Sequence, residues 1–200
     1  MHLSILYANC ILTLKKLIFK DYRKVINYKI ERLDFWMDQV SSIISVDMQF
    51  LGLDNFKLDI LREDQLFPDI SGNKFRKLVP NIRRAFVLGL KRIVTFGGAY
   101  SNHIAATAAA GRLFNFETIG IIRGHELADK INLNPTLSQA QRDGMKFKFV
   151  SRKDYKKRDD SFFVSELMKE FGPCLLVPEG GTNASAIEGV SKMMRQISKN

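Results

Sequence analysis

Cysteine is scarce in this 200-residue chain: Cys10 and Cys174 lie far apart and outside any metal-ligand spacing. Disulfide frameworks and zinc modules need clustered, regularly spaced thiols, so no metal site is expected. The pattern favours free thiols in a reducing, cytoplasmic compartment. Long apolar runs are missing too. The N-terminal stretch MHLSILYANCILTLKKLIF holds a run of about a dozen residues, short of the roughly 20 that a membrane span requires. It also lacks the basic lead and small-residue cleavage site of a secretory signal. An amphipathic or irregular extension without a function of its own is expected there. No internal repeat is present, which excludes a solenoid.

Acidic residues are outnumbered, and the formal net charge is +10. The excess is spread over the N-terminal stretch, the region from Lys74 to Arg92, and Arg152 to Arg158. Zinc-finger spacing, a basic region with heptads and the aromatic signature of an RNA-recognition sheet are all absent. Specific nucleic-acid binding is therefore not expected, and a diffuse positive field draws in small anions as readily as polyanions. With 46% hydrophobic and 26% charged residues, the composition is that of an ordinary soluble globular domain.

What is present is a rhythm. Residues 56–61 alternate apolar and polar as a half-buried strand does. Pro68 and Ser71-Gly72-Asn73 supply turn chemistry. A helix is predicted over 75–90, with Leu78, Ile82, Phe86 and Leu90 on one face. Pro80 either kinks this helix or marks its start. Short apolar strands are then predicted at 92–96, 118–122, 146–150 and 175–177. Helices are expected between them, at 102–113, 135–142 and 162–171, and after the last strand. The basic stretch 151–160 reads as a solvated loop. Apolar strands alternating with helices define an α/β fold: an open parallel sheet flanked by helices.

Such sheets place ligands at the carboxyl ends of their strands. Three polar, glycine-bearing segments sit at turns into helices. In Ser71-Gly72-Asn73-Lys74-Phe75-Arg76-Lys77-Leu78, the turn puts Lys74 in the first helical turn. The helix dipole and partial burial both disfavour its ammonium form there. A lysine with an accessible neutral amine suits Schiff-base chemistry, although Lys74, Arg76 and Lys77 also read as an exposed basic helix start. In Thr95-Phe96-Gly97-Gly98-Ala99-Tyr100-Ser101-Asn102-His103, Ser101 or Asn102 can cap a helix whose free amides would take a carboxylate or phosphate. A plain capped helix with a structural His103 reads equally well. Val177-Pro178-Glu179-Gly180-Gly181-Thr182-Asn183-Ala184 repeats the plan of strand, glycine turn and polar helix start.

Together and in this order, the three segments resemble the 1-aminocyclopropane-1-carboxylate (ACC) deaminase/D-cysteine desulfhydrase family. SGNKFRKL resembles its GNKxRKL segment, and TFGGAYSNHIAATAAAG its GGxQSNHxRxxAAxA segment. PEGGTNASAIEG resembles PEGGSNAxGxxG, and Leu61-Arg62-Glu63-Asp64 a KRED-type strand end. The resemblance covers residues 45 to 195. It implies the tryptophan-synthase-β-like fold of type II pyridoxal 5'-phosphate (PLP) enzymes. Residues 80–178 would form the smaller parallel α/β domain, and 45–79 with 179–200 would belong to the larger PLP domain. Residues 1–44 would remain an irregular or helical extension. The cofactor implied is PLP, with Lys74 as its Schiff-base lysine and the proton shuttle at the substrate carbon. Asn102 would bond the phenolic oxygen of PLP, next to Asn73 on the cofactor side. The catalytic pair would be Lys74 and Ser101. The substrate, a small amino acid, would meet Tyr100, Ser101, Asn102 and His103, with the amides of 101–103 on its carboxylate. A homodimer is the family habit.

Tyr100 stands where the family usually has glutamine, and Ala105 where arginine is common, so the resemblance leaves the substrate open. His103 resembles the SNH of desulfhydrases more than the SNQ of deaminases, which tilts the expectation toward β-elimination from a D-amino acid. No GxGG segment exists in the chain to cup the PLP phosphate as the family's later part does. The expectation is a fold incomplete at its C-terminus, from a truncated or frameshifted reading frame. The alternative is a catalytically inactive truncated fragment or a non-catalytic α/β module.

Overall fold

The computed structural model describes residues 24–197 apart from Asp54 and Ser71. The expectations for the N-terminal apolar stretch and for Cys10 fall outside these residues. The chain divides into two compact units, one ending at Asp38 and the other starting at Gln39. Of the first, residues 24–37 are helical (α1), with the Arg32 guanidinium stacked over the Trp36 ring at 4.7 Å.

The second unit opens with a two-stranded antiparallel ribbon, β1 (Ile43–Val46) against β2 (Leu58–Leu61). Sequence reading placed no strand at β1, whose four residues are too few to display a period. A short helix, α2 (Glu63–Leu66), and a 3-10 turn at Pro68–Ile70 lead into α3 (Asn73–Val87). Leu78, Ile82 and Phe86 are buried along α3 as their spacing predicts. Pro80 lies inside α3 rather than at its start. Proline has no N–H, so the carbonyl of Arg76 loses its helical partner. Gly189 fills that place: a Cβ on Gly189 would collide with the Arg76 carbonyl oxygen and stand 3.0 Å from Pro80 Cγ. The helix α8 (Ala184–Ile197) thus packs backbone to backbone on α3.

The remaining elements alternate as predicted, with the short α6 added: β3 (Arg92–Gly97), α4 (Asn102–Phe114), β4 (Glu117–Arg123), α5 (Pro135–Arg142), β5 (Lys146–Val150), α6 (Arg152–Tyr155), α7 (Ser161–Phe171) and β6 (Leu175–Val177). The four strands form one parallel sheet in the order β5-β4-β3-β6. On one face Val94, Phe96, Ile119 and Ile121 pack against Tyr155 and Leu167 of α6 and α7. On the other, Ile122 packs with Ile104 and Ala108 of α4 and Leu137 and Ala140 of α5. Each fully buried aliphatic side chain in these layers contributes about 1.5–3 kcal/mol.

One expectation is corrected. The basic stretch 151–160 is not a solvated loop throughout, because Ser151 caps the short α6 through the Asp154 amide and Tyr155 is buried. A single aromatic residue anchors an otherwise charged segment to the sheet. It stands edge-on to Phe96 with the rings 6.1 Å apart, and the guanidinium groups of Arg123 and Arg158 lie over its ring.

Candidate active site

The turn before α3 requires glycine. Gly72 has φ 66° and ψ −151°, a conformation essentially closed to other residues. As the N-cap it offers no side chain to the first amides of α3, of which that of Phe75 donates back to the Gly72 carbonyl at 3.1 Å. Lys74 is the second residue of α3 and is half-buried. Burial, then the nearby Lys77 ammonium, holds its pKa below the usual lysine range.

Arg76 is not part of an exposed basic helix start. It is wholly buried, and its fork grips both oxygens of Glu63 at 2.9 and 3.0 Å. A further N–H donates to the Gln39 carbonyl at 2.9 Å, and Ser41 donates to the same Glu63 carboxylate. This knot fixes the start of α3, and with it the position of Lys74, against the strand end carrying Leu61-Arg62-Glu63-Asp64.

The loop after β3 brings the second segment alongside. Ser101 caps α4, its Oγ accepting from the amides of His103 and Ile104 at 3.2 and 3.4 Å. Asn102, the first residue of α4, is exposed. Gly72, Asn73 and Lys74 form one wall of an open cleft of about 440 Å³, and Asn102, Ala105 and Ala106 form another. Ala105 leaves open the space that a longer side chain would occupy. Lys74, Asn73 and Asn102 therefore converge on one cavity. Tyr100 does not line it; its side chain is 73% exposed on the loop outside.

His103 lies beneath the cleft and is 1% exposed. Its Nε2 is 2.8 Å from the Thr95 hydroxyl, which itself donates to the Val177 carbonyl at 2.8 Å. The hydroxyl has a single proton, already given to Val177, so it accepts from Nε2–H. His103 is thereby held neutral with a bare Nδ1, and that buried atom has no hydrogen-bond partner. Burial first, then the charges of Lys74 and Lys77, pushes its pKa down to about 4.

The third segment does not line the cleft and packs instead against His103 and α3. Gly181, at φ 73°, lies against the imidazole: a Cβ there would stand 3.0 Å from His103 Cε1 and 3.3 Å from Nδ1. Lys77 donates to the Thr182 hydroxyl at 3.0 Å. Asn183 donates to Asn81 Oδ1 at 2.7 Å and accepts from the Ala186 amide at 2.9 Å, capping α8. Sequence reading placed Thr95 and Glu63 within its segments but gave neither a role, and it did not name Asn81. Thr95 does carry a signal, as the one hydroxyl in an otherwise apolar strand. The others depend on pairings across the fold.

No family model matches the chain. A putative 1-aminocyclopropane-1-carboxylate deaminase of Thermotoga maritima is 31% identical over 131 residues, 64% of this chain and 41% of that protein. A mitochondrial bifunctional D-cysteine desulfhydrase/1-aminocyclopropane-1-carboxylate deaminase of Arabidopsis thaliana is 30% identical over 153 residues, 73% of this chain and 38% of that protein. The chain thus spans about two-fifths of the length of the curated relatives it matches. A crystal structure titled as an ACC deaminase homologue superimposes with a TM-score of 0.67 at 22% identity, covering 81% of this chain and 49% of that one. The fold is that of the type II PLP enzymes, an open parallel α/β sheet with helices on both faces. Within that class, the relatives it matches at 30–31% identity are named as ACC deaminase and D-cysteine desulfhydrase/ACC deaminase.

Among the described residues no group of histidine, cysteine and carboxylate side chains could hold a metal ion. No described helix is long and apolar enough to cross a membrane.

Proposed function

We propose that this chain carries the cofactor lysine of a PLP-dependent enzyme acting on a small amino acid. The reaction would be β-elimination of the D-cysteine type or deamination of the ACC type. One observation carries the proposal: Lys74 and Asn102, from the first turns of two helices, face one open cleft. Neither side chain has a hydrogen-bond partner among the described residues.

The residues present fit the cofactor. An aldehyde needs an amine that is neutral part of the time, and burial beside Lys77 lowers the Lys74 pKa. A phenolic oxygen needs a side-chain donor, and the Asn102 amide is uncommitted. Lys74 would hold PLP, with Asn102 on the phenolic oxygen and Asn73 beside it. PLP, when bound, supplies an electron sink for the bonds at the substrate α-carbon. Lys74 would also move the proton at that carbon. The backbone at the start of α4, held in register by the Ser101 cap, would orient the substrate carboxylate at the positive end of the helix dipole. Ser101 itself would stand beside the substrate, with His103 buried behind the same loop and Tyr100 on its outer side. His103 in SNH favours the elimination reading over deamination. A cytoplasmic homodimer is proposed with it.

The test is the visible absorption spectrum of the purified chain with added PLP, using Lys74→Ala as control. A protein-bound band present in the parent and lost in the variant is expected. A folded protein that gives no band would overturn the proposal and leave the non-catalytic α/β module.

A further inference from the structure

His103 Nδ1 is a lone-pair acceptor sealed inside the protein with no partner, a costly arrangement for a buried polar atom. The Thr95 hydroxyl fixes the ring so that Nε2 carries the proton and Nδ1 stays bare. Gly181 shows where Nδ1 lies: the space above its Cα is bounded by His103 Nδ1 and Cε1 and by Lys77 Cβ, 3.6 Å from an ideal Cβ. The imidazole and the Lys77 stem of α3 thus border the same point above Gly181. Lys74 precedes Lys77 by three residues and shares its face of the helix. The Lys77 ammonium is already engaged with Thr182. Lys74 has no hydrogen bond among the described residues, and its four-carbon stem lets the amine turn.

We propose that His103 is the positioning residue of Lys74: whenever the amine is not engaged in the cleft, it donates to the bare Nδ1 of His103. This deepens the reading of Lys74 as the cofactor lysine and rests on it. The bond aims Lys74 from below, between α3 and α4, and keeps it out of bulk water. His103 acts here as an acceptor and not as a base, because burial first, then the charges of Lys74 and Lys77, holds its pKa down at about 4.

The experiment follows reductive methylation of Lys74 by formaldehyde and borohydride against pH, without PLP, by peptide mass spectrometry. An acceptor favours the ammonium form, so His103→Leu should lower the Lys74 midpoint by about one pH unit. His103→Asn keeps an oxygen acceptor near the place of Nδ1 and should restore the midpoint. Both variants lose the bond to Thr95, so a merely structural role would move both alike, and that result overturns the proposal. Should His103→Leu not fold, imidazole nitrogen NMR of the parent and of Lys74→Ala decides. The Nδ1 resonance moves to that of a free acceptor in Lys74→Ala and stays in place in Lys77→Ala; an unmoved resonance in Lys74→Ala overturns the proposal. An unmoved Lys74 midpoint alongside a Lys74-dependent PLP band overturns the positioning role and spares the cofactor reading. A moved midpoint with no PLP band overturns the cofactor reading and leaves the hydrogen-bonded pair standing.

Discussion

The Thr95 hydroxyl joins His103 to the carbonyl of Val177, 2.8 Å from each. One side chain in the middle of β3 thereby ties the start of α4 to the end of β6, whose Val177 lies 82 positions beyond Thr95 along the chain. Thr95→Val keeps the shape and removes both bonds, leaving the buried His103 Nε2–H without its acceptor and the Val177 carbonyl without its side-chain donor. The expected loss is about 2–4 kcal/mol, measured by denaturant unfolding. Thr95→Ser should lose less than half of that. Equal stability in Thr95→Val and the parent would contradict the hydrogen-bonded chain.

Acid should destabilise the folded chain through His103. The unfolded residue takes up its proton near 6.5 and the folded one at about 4. Between these values the unfolded state binds more protons, so stability falls as the pH is lowered from about 6.5 to about 4. The loss attributable to this residue is up to about 3 kcal/mol. Carboxylates also titrate at the lower end of this interval, so the readout is the difference between the parent and His103→Asn. That difference should shift with pH across the window and be flat above it. A flat difference throughout would show that His103 is not held neutral by burial.

The Arg76–Glu63 pair should behave as a buried ion pair. Glu63→Ala strands a guanidinium inside the protein and is expected to cost about 3–5 kcal/mol. Arg76→Lys keeps the charge but loses the fork, and should still cost about 1–3 kcal/mol. Replacing both together, as Arg76→Met with Glu63→Leu, should recover most of the stability lost by Glu63→Ala. A double variant as unstable as Glu63→Ala would mean that packing, and not charge pairing, dominates the site.

The sheet and its helices were legible in the sequence because β3, β4, β5 and β6 are short apolar runs separated by capped, amphipathic helices. α5 begins at Pro135 as proline in a first turn predicts, with Asn134 accepting from the Leu137 amide as its cap. The three glycine-bearing segments were legible as turns because Gly72 and Gly181 adopt backbone conformations that other residues avoid. What brings the segments together was not legible. Lys77–Thr182 and Asn81–Asn183 join residues 105 and 102 positions apart, and no local period encodes such pairs. The burial of Arg76 was hidden for the same reason: its partner Glu63 lies on another element, and an arginine beside two lysines has the appearance of a solvated cluster. Tyr155 was masked by the charges around it.

The collision that a Cβ on Gly189 would make with the Arg76 carbonyl gives α8 a say over chemistry far from it in sequence. Arg76 sits two residues after Lys74, so any side chain at position 189 would push on the very turn that aims the lysine amine. A missing methyl group near the far end of the described chain is thus a tolerance specification for the first turn of α3. Variation at that position would tend to surface as a misdirected lysine before it surfaced as an unfolded protein.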